Sequence, residues 1–192
     1  MYDITVYRWV VLGCWLVFLA VWTITAFGAK PSLNDRHLRR QGVLRVAILI
    51  AVLLASRMPG VRQVLRQHIF AIHDPHTGLI GAALVVLGVG LAIWARFALG
   101  RNWGMPMTQR EDPELVAAGP YAVIRHPIYT GVLTAMLGSA ITLGPLLFLV
   151  FPLFAVYFIY SARQEEKRIA LLFPAQYPAY QARTKMLIPF LW

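Results

Sequence analysis

Charge is scarce in this 192-residue chain: Asp, Glu, Lys and Arg make up 14% of it, and only 8 residues are acidic. An average soluble domain carries about 25% charged residues, so an ordinary water-soluble fold is excluded. Cysteine is almost absent. Cys14 is alone and lies inside an apolar run, so no intrachain disulfide exists to staple the fold or report its redox compartment. There is no Gly-x-Gly-x-x-Gly fingerprint, no Walker-type loop and no Ser/His/Asp ordering, which removes the usual sequence signs of a nucleotide-dependent or hydrolytic enzyme. Internal repeats, heptads and low-complexity tracts are missing too. No cleavable leader is expected, because the first apolar run is too long for a signal-peptide core and lacks a small-residue cleavage site.

What the chain does have is apolar material: 59% of residues are hydrophobic and the mean hydropathy is +0.62. It comes in long runs between short polar segments, the pattern of a helical membrane bundle and not of an alternating outer-membrane barrel. Five spans are expected, at Tyr7 to Phe27, Val43 to Met58, Thr77 to Leu99, Pro127 to Leu143 and Pro145 to Leu172. The second and fourth are short for a hydrocarbon layer of about 30 Å crossed at about 1.5 Å per residue, which implies little tilt or local thinning. Leu143-Gly144-Pro145 reads as a breaker that turns the last two spans into a tight helical hairpin. The glycines of the third span, GLIGAALVVLGVGLAIW, read as small residues that admit a close helix neighbour. The last span outlasts the bilayer, so SARQEEKRIALLF from Ser161 onward projects into water.

The net charge of +10 would suggest nucleic acid in a soluble chain. Here the basic residues flank apolar segments, so no nucleic-acid partner is expected. Their distribution sets orientation instead. Lys30, Arg36, Arg39, Arg40, Arg45, Arg96, Arg101, Arg110, Arg125, Arg163, Lys167, Arg168, Arg183 and Lys185 fall on one side of the five-span arrangement, against Arg8, Arg57, Arg62 and Arg66 on the other. Positively charged loops stay in the cytoplasm, so the N-terminus is expected outside and the C-terminus inside. A single membrane domain follows, with three spans in residues 1 to 98 and the chemistry in residues 99 to 192.

Three polar clusters fall on that cytoplasmic side: LGRNWG at 99 to 104, ELVAAGPYAVIRHPIYTG at 114 to 131, and RQEEKRIALLFPAQYPAYQARTKMLIPFLW at 163 to 192. Pro127 suits the first turn of a helix, where its missing N–H costs nothing, and the unpaired N–H groups there form an anion-binding end. Taken singly, these residues have simpler readings. Arg125 at a membrane edge serves as a snorkelling anchor, Tyr121, Tyr129, Tyr157 and Tyr160 serve as belt aromatics, and Glu165 or Glu166 pairs with Arg168 or merely solvates a helix end.

In combination and in this order, LGxNW, GPYxxxRHPxYxG and EExxIxxxFPxxYxxYxxRTxxLIP resemble the isoprenylcysteine carboxyl methyltransferase family, membrane enzymes that use S-adenosylmethionine. The RHPxY element alone is less specific, because phospholipid N-methyltransferases and membrane sterol reductases carry similar sequences. The resemblance implies that Glu114, Leu115, Val116, Tyr121, His126, Pro127 and Tyr129 line the methyl donor, with Glu165 on the last helix. Gly119 and Arg125 complete the expected donor-binding set.

The chemistry of such a donor is compatible with these residue types. It combines a sulfonium, an adenine and a zwitterionic tail. Arg125 or His126 can meet the tail carboxylate, Arg through a bidentate fork, and Tyr121 and Tyr129 offer ring faces to a cation or a base. Glu165 and Glu166 are the candidate bases for an amine acceptor, and Arg163 is the third residue placed near the chemistry.

One departure bears on the acceptor. In the archaeal and eukaryotic enzymes of that family an arginine stands four residues before the glutamate matching Glu165, and here the position is Ser161. Arg163 lies about 200° around the helix from the site of that arginine. The acceptor is therefore read as lipid-like or small, with a prenylcysteine carboxylate, a phospholipid amine and a small thiol as alternatives. A nicotinamide-dependent reductase and a non-catalytic scaffold are the competing classes. His68, His73, Asp74 and His76 in HIFAIHDPH are read as a solvated loop and not a metal site. The location expected is a bacterial inner membrane with the site facing the cytoplasm.

Overall fold

A computed structural model describes residues 4–26, 58–60, 63, 75–100, 114–144 and 146–191. All of the expected second span but Met58, most of LGRNWG, and His68, His73 and Asp74 lie outside the described residues. The described chain is helical: α1 (Ile4–Ala26), α2 (Pro75–Leu99), a 3-10 turn at Gly119–Ala122, α3 (Pro127–Leu143), α4 (Leu146–Leu172) and α5 (Tyr177–Arg183). No strand is present among the described residues beyond one isolated bridge between Ile124 and Lys185. Helices α1, α2 and α4 are each long and apolar enough to cross a bilayer, and α3 is a shorter apolar helix.

The outer faces of these helices remain hydrophobic, with Trp9, Leu16, Ile24, Leu87, Phe97, Leu149, Leu153 and Val156 all exposed. In water that would be an aggregation hazard; against acyl chains it is a matched surface. Without a hydrophobic force between helices in lipid, packing must come from close backbone approach and polar contacts. Both are visible.

The closest approach joins α2 to α3. A Cβ placed on Gly88 would sit 2.5 Å from the Gly131 carbonyl oxygen, and one on Gly131 would sit 2.5 Å from the Gly88 carbonyl oxygen. Gly81 and Gly138 form a second reciprocal contact seven residues along each helix, so the helices run antiparallel with their backbones nearly touching. Seven residues is about two turns, which keeps both glycines on one stripe. The small-residue reading of the third span holds, and its partner stripe lies on α3.

Polar contacts fix the rest. Trp15 Nε1 donates to Ser139 Oγ at 3.0 Å, tying α1 to α3. Arg96, only 3% exposed, donates to the carbonyl of Thr25 at 2.6 Å and to that of Gly100 at 2.8 Å. It therefore caps the C-terminal ends of both α1 and α2, where unpaired carbonyls favour a cation. The sequence marks Arg96 only as a flanking positive charge; it is also a structural bracket. Tyr7 lies against Gly78 at the opposite ends of the same two helices, so α1 and α2 run parallel.

Helix α3 starts and stops where its punctuation says it should. Pro127 occupies the first turn, and Gly144 closes the helix at φ 135°, a conformation that side chains resist. Two residues later α4 begins; Pro152 lies inside it, and its polar last turns carry Ser161 to Arg168. Gly88→Val is expected to clash with the α3 backbone and lower stability by about 1–3 kcal/mol. Gly90→Val, on the same helix with nothing within 4 Å of its Cβ position, is the control: thermal unfolding in detergent should separate the two.

Candidate functional site

The stretch before α3 is held open by local backbone chemistry. Gly119 has φ 60°, which starts the 3-10 turn, and it packs near Ala98 and Trp94 of α2. Pro120 and Tyr121 are buried by that turn. Next, Val123 to His126 pair with the C-terminal segment: Lys185 N–H donates to the Val123 carbonyl at 3.1 Å, Arg125 N–H to Lys185 at 2.8 Å and His126 N–H to Met186 at 3.1 Å. Thr130 Oγ1 adds a bond to the Leu187 carbonyl at 2.6 Å. A chain end distant in sequence thus forms a wall beside the first turn of α3.

Inside this frame five side chains form a line of charge. Tyr129 Oη donates to Glu165 Oε1 at 2.6 Å. Glu165 Oε2 lies 3.5 Å from His126 Nδ1, and His126 Nε2 lies 3.4 Å from Glu166 Oε1. That oxygen also accepts from Arg125 Nε at 2.6 Å. The signs along the line alternate when His126 is protonated. His126 Nε2 is buried and outside hydrogen-bonding geometry with any described group, and its ring stacks parallel to Tyr129 with centroids 5.4 Å apart. Both ring nitrogens of His126 thus face carboxylates, with Nε2 held to Glu166 by charge and not by a well-formed hydrogen bond.

Burial opposes charge on His126, yet the carboxylates of Glu165 and Glu166 outweigh it and hold the imidazole above its usual range. Burial also pushes the Tyr180 phenol up to about 12, against the pull of Arg125 and Arg183. Tyr180 therefore stays a donor, to the Tyr121 carbonyl at 2.8 Å.

Glu165, Glu166, Arg125, His126, Pro127 and Tyr129 come together here. Tyr121 approaches from the 3-10 turn, close enough to sense Glu165 and Arg96. Gly119 shapes that turn, and Glu114, Leu115 and Val116 form the irregular segment leading into it. Arg163 is exposed on α4 and takes no part in the bonds that tie the cluster. Ser161, by contrast, is wholly buried, its hydroxyl without a hydrogen-bond partner among the described residues.

Arg125 has a role that its position in the sequence does not reveal. Besides Glu166 it donates through Nη1 to the carbonyl of Thr184 at 2.6 Å and more loosely to that of Gln181. Its fork is turned toward the protein, binding α4 to the C-terminal wall. Thr130, Tyr180 and Thr184 are site-building residues outside the expected donor-binding set; Thr130 lies in the second cluster beside RHPIY, and Tyr180 and Thr184 are the Tyr and Thr of YQART in the third.

A family model described as phospholipid methyltransferase matches residues 77–176. The nickel-cobalt-cadmium resistance protein NccN of Alcaligenes xylosoxydans xylosoxydans is 29% identical over 84% of this chain and 70% of its own length. The protein-S-isoprenylcysteine O-methyltransferase of Saccharomyces cerevisiae is 32% identical over 59% of this chain and 49% of its own. Among solved structures, a eukaryotic intramembrane Ras methyltransferase, an isoprenylcysteine carboxyl methyltransferase, superposes with a TM-score of 0.56 at 26% identity, covering 81% of this chain and 54% of that one. The chain thus spans about half the length of the latter two.

The raised His126 sets a pH dependence. A group bound more tightly to its proton in the fold adds stability that is complete below its unfolded pKa, about 6.5, and is lost as pH rises through the higher folded value. The groups facing it are Glu165 and Glu166 from α4 and Arg125 and Tyr129 from its own segment. Thermal unfolding in detergent should show falling stability as pH is raised above that range, and His126→Gln should flatten this component. Arg125→Ala, which strands the nearly buried Glu166 carboxylate, is expected to cost about 3 kcal/mol in the same assay.

Proposed function

The chain belongs to the phospholipid methyltransferase family, and from that premise we propose that it transfers a methyl group from S-adenosylmethionine to a membrane-associated acceptor at the cluster before α3. The observation that carries the reading is the largely buried line Tyr129, Glu165, His126, Glu166 and Arg125, in which His126 and Tyr129 are buried and the charged partners half-buried, beside the first turn of a membrane helix. Such a line is costly to bury without use, because each charge must be taken out of water.

The residues fit the donor. Its cationic groups call for carboxylates and ring faces, supplied by Glu165, Tyr129 and Tyr121, and the protonated imidazole of His126 brings a positive charge suited to its carboxylate. Gly119 and the segment Glu114 to Val116 are assigned to the same seat, Gly119 because a bare backbone permits close approach. When bound, the donor supplies an electrophilic methyl carbon on a positively charged sulfur.

The protein's own work is positioning and exclusion of water. Tyr129 holds one oxygen of Glu165, which leaves the other beside His126 and fixes the carboxylate's plane. With an amine or thiol acceptor, Glu165 takes the leaving proton at an Oε atom, and Glu166 keeps His126 oriented behind it. A carboxylate acceptor would need no base. Ser161, buried one turn before Glu165, brings a hydroxyl and not a cation to the acceptor's side, which favours an amine or thiol acceptor over a carboxylate. Arg163, exposed on another face, is assigned no more than a role at the rim.

We assign five crossings with the N-terminus outside, a hairpin of α3 and α4, and a cytoplasmic site in a bacterial inner membrane. The parallel course of α1 and α2, whose N-terminal ends lie on one side, supports this, as does the bias of Lys and Arg. Residues 1 to 98 then provide spans and residues 99 to 192 the reaction. Calorimetric titration of the purified protein in detergent with S-adenosylhomocysteine tests the assignment: binding should be lost in Glu165→Ala and His126→Ala. Undiminished binding in both variants, each folded by circular dichroism, would contradict it.

A further inference from the structure

The residues after the C-terminal wall form a surface that methyl transfer does not use. The direction of the wall matters first. Lys185 pairs with Val123 and Arg125, Met186 with His126, and Leu187 with Thr130, so residues 184–187 run the same way as the chain entering α3. Each step along the wall goes deeper beside a helix that enters the membrane at Pro127. By Leu187 the chain has passed the first turn of α3, and residues 188–191 continue from that depth.

Their side chains change character at the same point. Thr184, Met186 and Leu187 face inward and are buried, whereas Ile188, Phe190 and Leu191 are exposed, Phe190 at 87% and Leu191 at 78%. A turn closes there, with Leu191 N–H donating to the Ile188 carbonyl at 3.2 Å. Phe190 sits in it at φ 65°, a region that favours glycine. A backbone that suits glycine instead presents a large ring outward, and strain of this kind points to a use for the side chain. On the aqueous side of the turn, Arg183 and Lys185 are exposed cations.

We infer that residues 188–191 are an interfacial wedge, with Phe190 and Leu191 inserted at the acyl boundary of the leaflet nearest the N-terminal end of α3, and Lys185 and Arg183 against anionic headgroups. Apolar residues seated at the boundary with cations one step outward is the arrangement that binds a negatively charged lipid surface. The partner is the bilayer itself, and the wedge pins the wall of the site to it. This rests on α3 crossing the membrane and not on the identity of the reaction.

The test uses the full chain with Cys14→Ala, spin-labelled at Phe190→Cys or Leu191→Cys, and at Gln181→Cys as an aqueous control. In nanodiscs of phosphatidylcholine with phosphatidylglycerol, the labels at 190 and 191 should be several-fold more accessible to oxygen relative to a nickel chelate than the label at 181. Omitting phosphatidylglycerol should make them shallower. Accessibility equal to that of the control, or strong dipolar broadening between labels that reveals a second copy on this face, would overturn the wedge. A depth indifferent to phosphatidylglycerol would overturn the role given to Lys185 and Arg183.

Discussion

The short contact between Arg125 and Glu166, at 2.6 Å with both side chains nearly buried, joins three parts of the chain that sequence keeps far apart. Arg125 lies just before α3, Glu166 lies on α4, and the same guanidinium reaches the carbonyl of Thr184 in the C-terminal wall. A buried ion pair contributes little net stability when compared with apolar packing, but removing one partner is severe, so it acts as a constraint on geometry. Here the constraint sets where Glu166 sits, hence where His126 is held, and through His126 the position of Glu165. The placement of Glu165 thus depends on an arginine with which it makes no direct bond.

A second constraint comes from the membrane. Helix α3 is too short to be stabilised by a wide apolar face, and its buried residues are mostly small: Gly131, Ala135, Gly138, Ser139 and Ala140. Its place is set by backbone contact with α2 through paired glycines and by the bond from Trp15 to Ser139. Rigid seating of α3 is what allows His126 and Tyr129, three residues apart at its start, to stack and address one carboxylate each way. Local helix geometry, glycine packing and site electrostatics are one continuous argument.

Much of this was legible in the sequence where the signal is local. Pro127 and Gly144 mark the ends of α3 because proline presets a first turn and glycine tolerates φ 135°, and α2 ends at Leu99 as its apolar run does, although it begins at Pro75, two residues before the expected Thr77. The apolar pattern also identified α1 and α4 as membrane-length helices. What periodicity could not supply is pairing over long separations. Nothing local says that Arg125 will face Thr184, that Arg96 will cap α1, or that the glycine stripe of α2 will meet one on α3. Ser161 was conspicuous only by comparison with a motif, and its burial without a hydrogen bond is a fact of packing.

The central claim is that the cluster before α3 is the seat of the methyl donor. Direct ultraviolet cross-linking of radiolabelled S-adenosylmethionine to the purified protein, with adducts mapped by mass spectrometry, addresses it without mutation. The account predicts adducts within residues 114–129 or 161–166, competed by S-adenosylhomocysteine. Adducts confined to other segments, or labelling that competitor does not reduce, would contradict it.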